Sequence, residues 1–244
     1  MQTVAAQIPW SHNLEILKTN SKEERIWYIN KTVENGWSKN ILAHQIETQL
    51  YIRQHENTKI SNFPQRLEET QSELALETMK DPYVFDFIDL KENAREKDLE
   101  DALINNITKV LLELGKGFAF VGHQYHLEIA EEDFYIDLLF YNIRLRCYVV
   151  IELKIGDFKP EYAGQLSFYL TAVDETLKGP FDNPTIGLLL CSHKNNIIAE
   201  YTLRDMDKPM GVSEYKITDY LPEELKEGLP TIKDLVSSIE KQID

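Results

Sequence analysis

The sequence has no apolar run approaching the ~20 residues that a membrane-spanning helix needs. Its opening residues, MQTVAAQIPWSHN, lack the basic start and apolar stretch of a secretory signal, so a cytoplasmic setting is expected. Cysteine is scarce. Cys147 and Cys191 are far apart and lack CxxC spacing, which argues against a disulfide framework or a zinc site. Both lie in apolar, strand-like runs and read as reduced core residues. GxGxxG, Walker and HExxH patterns are absent, so nucleotide-binding and zinc-protease chemistries have no support. Positive charge is also short: 26 Lys and Arg against 41 Asp and Glu give a net charge of -15. Nucleic-acid affinity rests largely on cations that neutralise phosphates. A nucleic-acid role therefore requires divalent ions in a carboxylate-rich centre with a local basic surface, or a protein partner that supplies the affinity.

The composition, 43% hydrophobic and 27% charged, is that of a soluble globular chain with no repeats. Residues 1 to about 57 read as helical. Ser21 and Glu24 have capping-box spacing and open a helix that stops at Gly36; Ser38 can cap a second, KNILAHQIETQLYIRQ. Two helices joined by a tight glycine turn fit a helix-turn-helix, in which Ser38, Lys39 and Asn40 begin a recognition helix; simple packing is the alternative. Residues 58–96 read as a connector with short helical pieces at SELALETM and YVFDFIDL. Tyr83, Phe85 and Phe87 are too apolar for a free linker.

From about residue 97 the pattern becomes α-β-β-β-α-β. A helix over EKDLEDALINNITKVLLELG precedes strands at FAFVGHQYHLEI, DFYIDLLFYN and CYVVIELK, joined by short turns that suggest antiparallel hairpins. Pro160 opens the helix PEYAGQLSFYLTAVDE, followed by strands TIGLLLCS and MGVSEYKI and a final amphipathic helix, TIKDLVSSIEKQI.

Two carboxylates stand inside these apolar strands. Side-chain alternation puts Asp137 on one face with Tyr135, Leu139 and Tyr141; Glu152 and Lys154 share a face, roughly 6.6–6.8 Å apart along their strand. Burying two carboxylates is costly unless a cation compensates them. Mg2+ is suited to this, needing one or two carboxylates plus carbonyl and water oxygens, and Mn2+ is expected to substitute. The adjacent Lys can then orient water or stabilise charge on phosphorus. A solvated acidic-x-Lys triplet alone would be weak evidence; its place at the end of an apolar strand, fifteen residues after an Ile-Asp inside another apolar strand and directly before a helix, points to a site.

These residues resemble the PD-(D/E)XK nuclease superfamily, with Ile136-Asp137 as the first motif and Glu152-Leu153-Lys154 as the second. Gln165 and Tyr169 match the QxxxY pattern of its RecB-type branch. LELGKGFAFVGHQYHLEI, DFYIDLLFYN, VVIELK and FKPEYAGQLSFYL are similar to the YhcG-type family, and IPWSHN, ENGWSKNILAHQIE and KDPYVFDF resemble its helical N-terminal region. That region is usually longer in the family, so a shortened form or fragment is one reading. Ile136 replaces the usual Pro. The resemblance implies a restriction-endonuclease-like α/β core, a mixed sheet flanked by helices, behind an all-α region. It also implies metal-dependent cleavage of DNA in genome defence or recombination.

The expected division is a helical region over 1–96 and a nuclease domain over 97–244. The expected site is Asp137, Glu152 and the Leu153 carbonyl on the metal, with Lys154, Gln165 and Tyr169 beside them. Glu100 and Glu113 are both candidates for the superfamily's additional acidic residue, and Glu100, near the helix start, resembles that position better. His123 and His126 could contact phosphate, although strand histidines are commonly structural. Two other classes stay open: a non-catalytic assembly module on the same fold, and an RNA-directed nuclease. A homo-oligomer is expected if both strands of a duplex are cut.

Overall fold

The structure is a computed structural model that describes residues 4–90 and 93–217. After a 3-10 turn at Val4–Gln7 come helices α1 (Trp10–Ile16), α2 (Lys22–Asn35) and α3 (Lys39–Glu47). The caps follow the sequence signals. Ser21 Oγ accepts from the Glu24 N–H at 3.0 Å, and Ser38 Oγ from the Ile41 N–H at 3.3 Å. Gly36 ends α2 at φ 64°, a left-handed conformation that a side chain would strain. Tyr28, Ile29, Leu42 and Leu50 close a small core between these helices, so the helix-turn-helix exists as a packing unit. Its second helix is shorter than the pattern predicts, because Gln49 takes φ 54° and turns the chain before a π-helical turn at Ile52–Glu56. At the start of α3, Lys39 Nζ is 3.2 Å from Glu15 Oε1.

The connector supplies β1 (Ile60–Ser61), α4 (Phe63–Arg66), α5 (Glu69–Thr78) and β2 (Tyr83–Val84). Phe63, Met79, Tyr83 and Phe85 join the same core as the main sheet, as their apolar character requires. YVFDFIDL begins as a strand rather than the helical piece expected: Tyr83 and Val84 pair in parallel with Tyr215 and Lys216, where aromatic and β-branched residues suit the pleat. The long helix expected next is two, α6 (Glu96–Asn105) and α7 (Ile107–Leu114). Asn106, at φ -118° and ψ 28°, breaks it, and its side chain donates to the Ala102 carbonyl at 3.0 Å.

Strands β3 (Phe118–Ile129), β4 (Glu132–Asn142) and β5 (Cys147–Asp157) form an antiparallel meander. Ala130 and Glu131 join the first two with φ of 54° and 66°, the left-handed pair that a two-residue hairpin needs. Helix α8 (Pro160–Thr176) then crosses to β6 (Ile186–His193), parallel to β5, and α9 (Asn196–Arg204) leads to β7 (Met210–Lys216), parallel to β6. The sheet order is β1-β7-β6-β5-β4-β3, with β2 beside β7. The α-β-β-β-α-β order and the mixed sheet are thus as expected; α9 is an addition that the sequence reading passed over.

Leu138, Phe140, Val149 and Ile151 pack with α6 and α7, whereas Leu139, Val150 and Leu189 pack with α8 and α9, so helices cover both faces. Cys147 and Cys191 are free and buried. Among the described residues, no helix is long and apolar enough to cross a membrane. The expected helix TIKDLVSSIEKQI lies outside the described residues.

Candidate active site

Strands β4 and β5 pair residue for residue from Asn142↔Cys147 to Leu138↔Ile151. At the next step stand Asp137 and Glu152. The simple alternation expected for β4 fails here: Ile136 and Leu139 both join the core under α8, while Leu138 joins the opposite one. An intact pleat would put Ile136 and Leu139 on opposite faces. The break frees the Asp137 carboxylate to turn toward β5, where Oδ2 accepts the Leu153 N–H at 2.8 Å. A side-chain oxygen thereby satisfies a backbone donor at the end of the ladder. The Asp137 N–H in turn points at Glu152 Oε1, 3.4 Å away.

Lys154 Nζ lies 3.5 Å from Glu152 Oε2 and 3.5 Å from Glu96 Oε2, and 5.5 Å from the centre of the Tyr162 ring. Glu96 and Glu100 are four residues apart on α6, the spacing that aligns side chains on one helix face. Glu100 accepts from Gln124 Nε2 at 2.5 Å, and the same nitrogen lies 3.4 Å from Asp137 Oδ1. Asp137, Glu152, Lys154 and Glu100 are only 9%, 1%, 7% and 4% exposed, so three carboxylates and one ammonium share a site largely removed from water.

The electrostatics follow from that count. Burial and then the charge of Asp137 push the Glu152 carboxyl up to about 8. The same two causes push Glu100 up to about 7. Burial raises Asp137 as well, against the Leu153 N–H and Lys154, which lower it. For Lys154, burial works against the charge, but Glu152, Asp137 and Glu96 outweigh it and hold the ammonium above the usual lysine value. One lysine is shared among more negative charge than it can neutralise.

Gln165 and Tyr169 share a face of α8, as their spacing predicts, with Gln165 Nε2 donating to Tyr169 Oη at 3.1 Å. Burial first, then the fields of Glu152 and Asp137, raise the Tyr169 hydroxyl, which places it within electrostatic reach of the site. Glu113 is elsewhere. Its Oε1 accepts from Arg53 Nη1 at 2.5 Å and the Val84 N–H at 2.9 Å, with Lys80 Nζ 3.6 Å from Oε2: a buried structural cluster. His123 is exposed on β3, and His126 Nε2 is 2.6 Å from Asp133 Oδ1. Sequence reasoning missed Glu96, Gln124 and Tyr162. The Glu96–Glu100 interval was a readable signal; the other two depend on strand register and helix docking.

Among the described residues, no three His, Cys, Asp or Glu side chains converge as a ready metal cluster. A hard divalent cation needs less: one or two carboxylates, with carbonyl and water oxygens completing the shell. The donor set of Asp137, Glu152 and the Leu153 carbonyl fits such an ion, and burial, the first cause of both raised carboxyls, is the cost that a bound cation would offset.

Residues 76–230 match the YhcG PDDEXK nuclease domain family, and residues 1–53 match the DUF1016 N-terminal domain family. YhcG of Escherichia coli (strain K12), provisionally named a nuclease, is 37% identical over 227 residues, which cover 91% of this chain and 60% of that protein. The chain thus spans about 60% of the length of this curated relative. Among solved structures, a repair endonuclease from Pyrococcus abyssi shares 16% identity at a TM-score of 0.34, over 54% of this chain and 50% of that one. An EndoMS–dsDNA complex shares 18% identity at a TM-score of 0.36, over 55% and 49% of the respective chains.

Proposed function

Because the chain belongs to the YhcG PDDEXK nuclease family, we propose that it is a Mg2+-dependent endonuclease that hydrolyses DNA phosphodiester bonds, in genome defence or recombination. The observation that carries this reading is the meeting of Asp137, Glu152 and Lys154 where the β4–β5 ladder stops. Asp137, Glu152 and the Leu153 carbonyl would hold the ion, and Mn2+ would replace it. Once bound, the ion supplies Lewis-acid polarisation of the phosphate and a more acidic water.

Lys154 stabilises the negative charge that develops on the phosphate, the main demand of phosphoryl transfer. Lys154 also positions the attacking water or helps to deprotonate it. Glu96 and Glu152, both 3.5 Å from Nζ, hold the ammonium in place, and the Tyr162 ring faces it. Gln165 orients Lys154 or the substrate: its Nε2 donates to Tyr169 Oη, and its amide oxygen is the atom that would accept from either. At a net charge of -15 the chain offers phosphate little overall attraction, so divalent ions with a local basic surface, or a protein partner, supply the remaining affinity.

The test is cleavage by purified Lys154→Ala in Mg2+ or Mn2+. We expect the rate to fall about 100-fold or more, the scale of losing one charge-stabilising group. Cleavage as fast as the parent's would sink the assignment. Matched RNA and DNA substrates decide the polymer, with DNA expected to be cut faster.

A further inference from the structure

We propose that Gln124 is a positioning residue that holds the carboxylate of Glu100, the additional acidic residue expected from the superfamily, beside Asp137, an inference that rests on the metal-dependent reading above. Gln124 lies on β3 between the pairs His123↔Leu138 and Tyr125↔Ile136, which sets it across from Asp137. Its φ of 43° is left-handed, a conformation that residues other than glycine rarely adopt and that concentrates at functional sites. No glycine or asparagine stands there to make the turn easy. What the position gains is the side chain: one amide nitrogen, 2.5 Å from Glu100 Oε2 and 3.4 Å from Asp137 Oδ1, links helix α6 to strand β4.

The chemistry of the amide matters. A lysine or arginine could also link two carboxylates, but its charge would neutralise them and compete with a divalent cation. A carboxamide donates hydrogen bonds and leaves both negative charges available. Gln124 is itself exposed whereas Glu100 is buried, so truncating Gln124 opens no cavity in the core. Its job is orientation, the kind of supporting contact that fixes ion ligands and whose loss typically costs about 10- to 100-fold in metal affinity.

The experiment is Mn2+ titration of the whole chain by calorimetry, without nucleic acid, with the parent, Gln124→Ala, Glu100→Ala and the double variant. Gln124→Asn is added because asparagine is among the side-chain-bearing residues that best tolerate positive φ, yet is one methylene too short to span both carboxylates. We expect both Gln124 variants to bind Mn2+ about 10- to 100-fold more weakly, with the ion-free melting temperature close to the parent's. In the Glu100→Ala background, Gln124→Ala should weaken binding no further. Parent-like Mn2+ affinity in Gln124→Ala and Gln124→Asn overturns the proposal, as does an undiminished effect in the Glu100→Ala background. A parent chain that binds no Mn2+ overturns the metal-dependent reading itself, and this proposal with it.

Discussion

Glu152 is where burial and charge conflict most. Its carboxyl is almost fully enclosed beside Asp137, and its pKa rises from the ordinary 4.5 to about 8. A group with a raised folded-state pKa binds its proton more tightly in the native state. Its contribution to stability is therefore complete below about 4.5 and is lost as the pH rises through about 8. In chelator, the melting temperature should fall across that window, and Glu152→Gln should flatten the fall. A shift of several degrees is expected, since about 1 kcal/mol moves the melting temperature by about 2–4 °C in a chain of this size. A parent profile that is level from pH 5 to 8, or one that Glu152→Gln leaves unchanged, would remove Glu152 from the account of the site's charge. At this scale much was legible. Asp137, Glu152 and Lys154 stood out as charged residues inside apolar strands. Sequence placed Glu100 ahead of Glu113 because it stands near the helix start; the break at Asn106 and the partners Arg53 and Lys80 hold Glu113 in a separate buried ion-pair cluster.

Helix α8 carries Gln165 and Tyr169, and its docking depends on a close approach to β6. A Cβ added to Gly187 would sit 2.8 Å from Leu166 Cδ2 and 2.9 Å from its Cγ, so Gly187→Ala must displace the Leu166 side chain or the helix that carries it. The expected cost is about 1–3 kcal/mol of stability, the usual range for overpacking a core. Because Leu166 lies between Gln165 and Tyr169, cleavage should slow as well. Denaturant unfolding and a cleavage rate, measured on the same variant, check this. Stability lost with the rate untouched would detach α8 from the chemistry. The elements readable from sequence were those with strong one-dimensional signals: β3, β4 and β5 as apolar runs between turns, and α8 behind Pro160. Helix α9 escaped because it buries only Ala199 and Leu203, leaving Ile197, Ile198 and Tyr201 exposed and the pattern weak. The role of Gln124 escaped for a different reason: it arises from cross-strand register and a left-handed backbone, which composition does not record.

Across the whole molecule, the division at residues 96 and 97 is our functional proposal. The candidate site residues lie beyond it, apart from Glu96 at its edge. Packing crosses that line, because Phe63, Met79, Tyr83 and Phe85 complete the core of the sheet and Arg53 reaches Glu113 in the interior. Removing the N-terminal region would therefore expose the nuclease core rather than release a free domain. The charge of -15 has its counterpart in the site, where carboxylates outnumber the one lysine. The crowding of carboxylates in the site is what the proposed divalent cation would relieve. A crystal of the whole chain soaked in Mn2+ and read by anomalous scattering tests for that ion most directly. One strong peak beside the carboxylates of Asp137 and Glu152 is expected; a map with no peak there, at Mn2+ concentrations that fill other sites, would contradict the proposed cation.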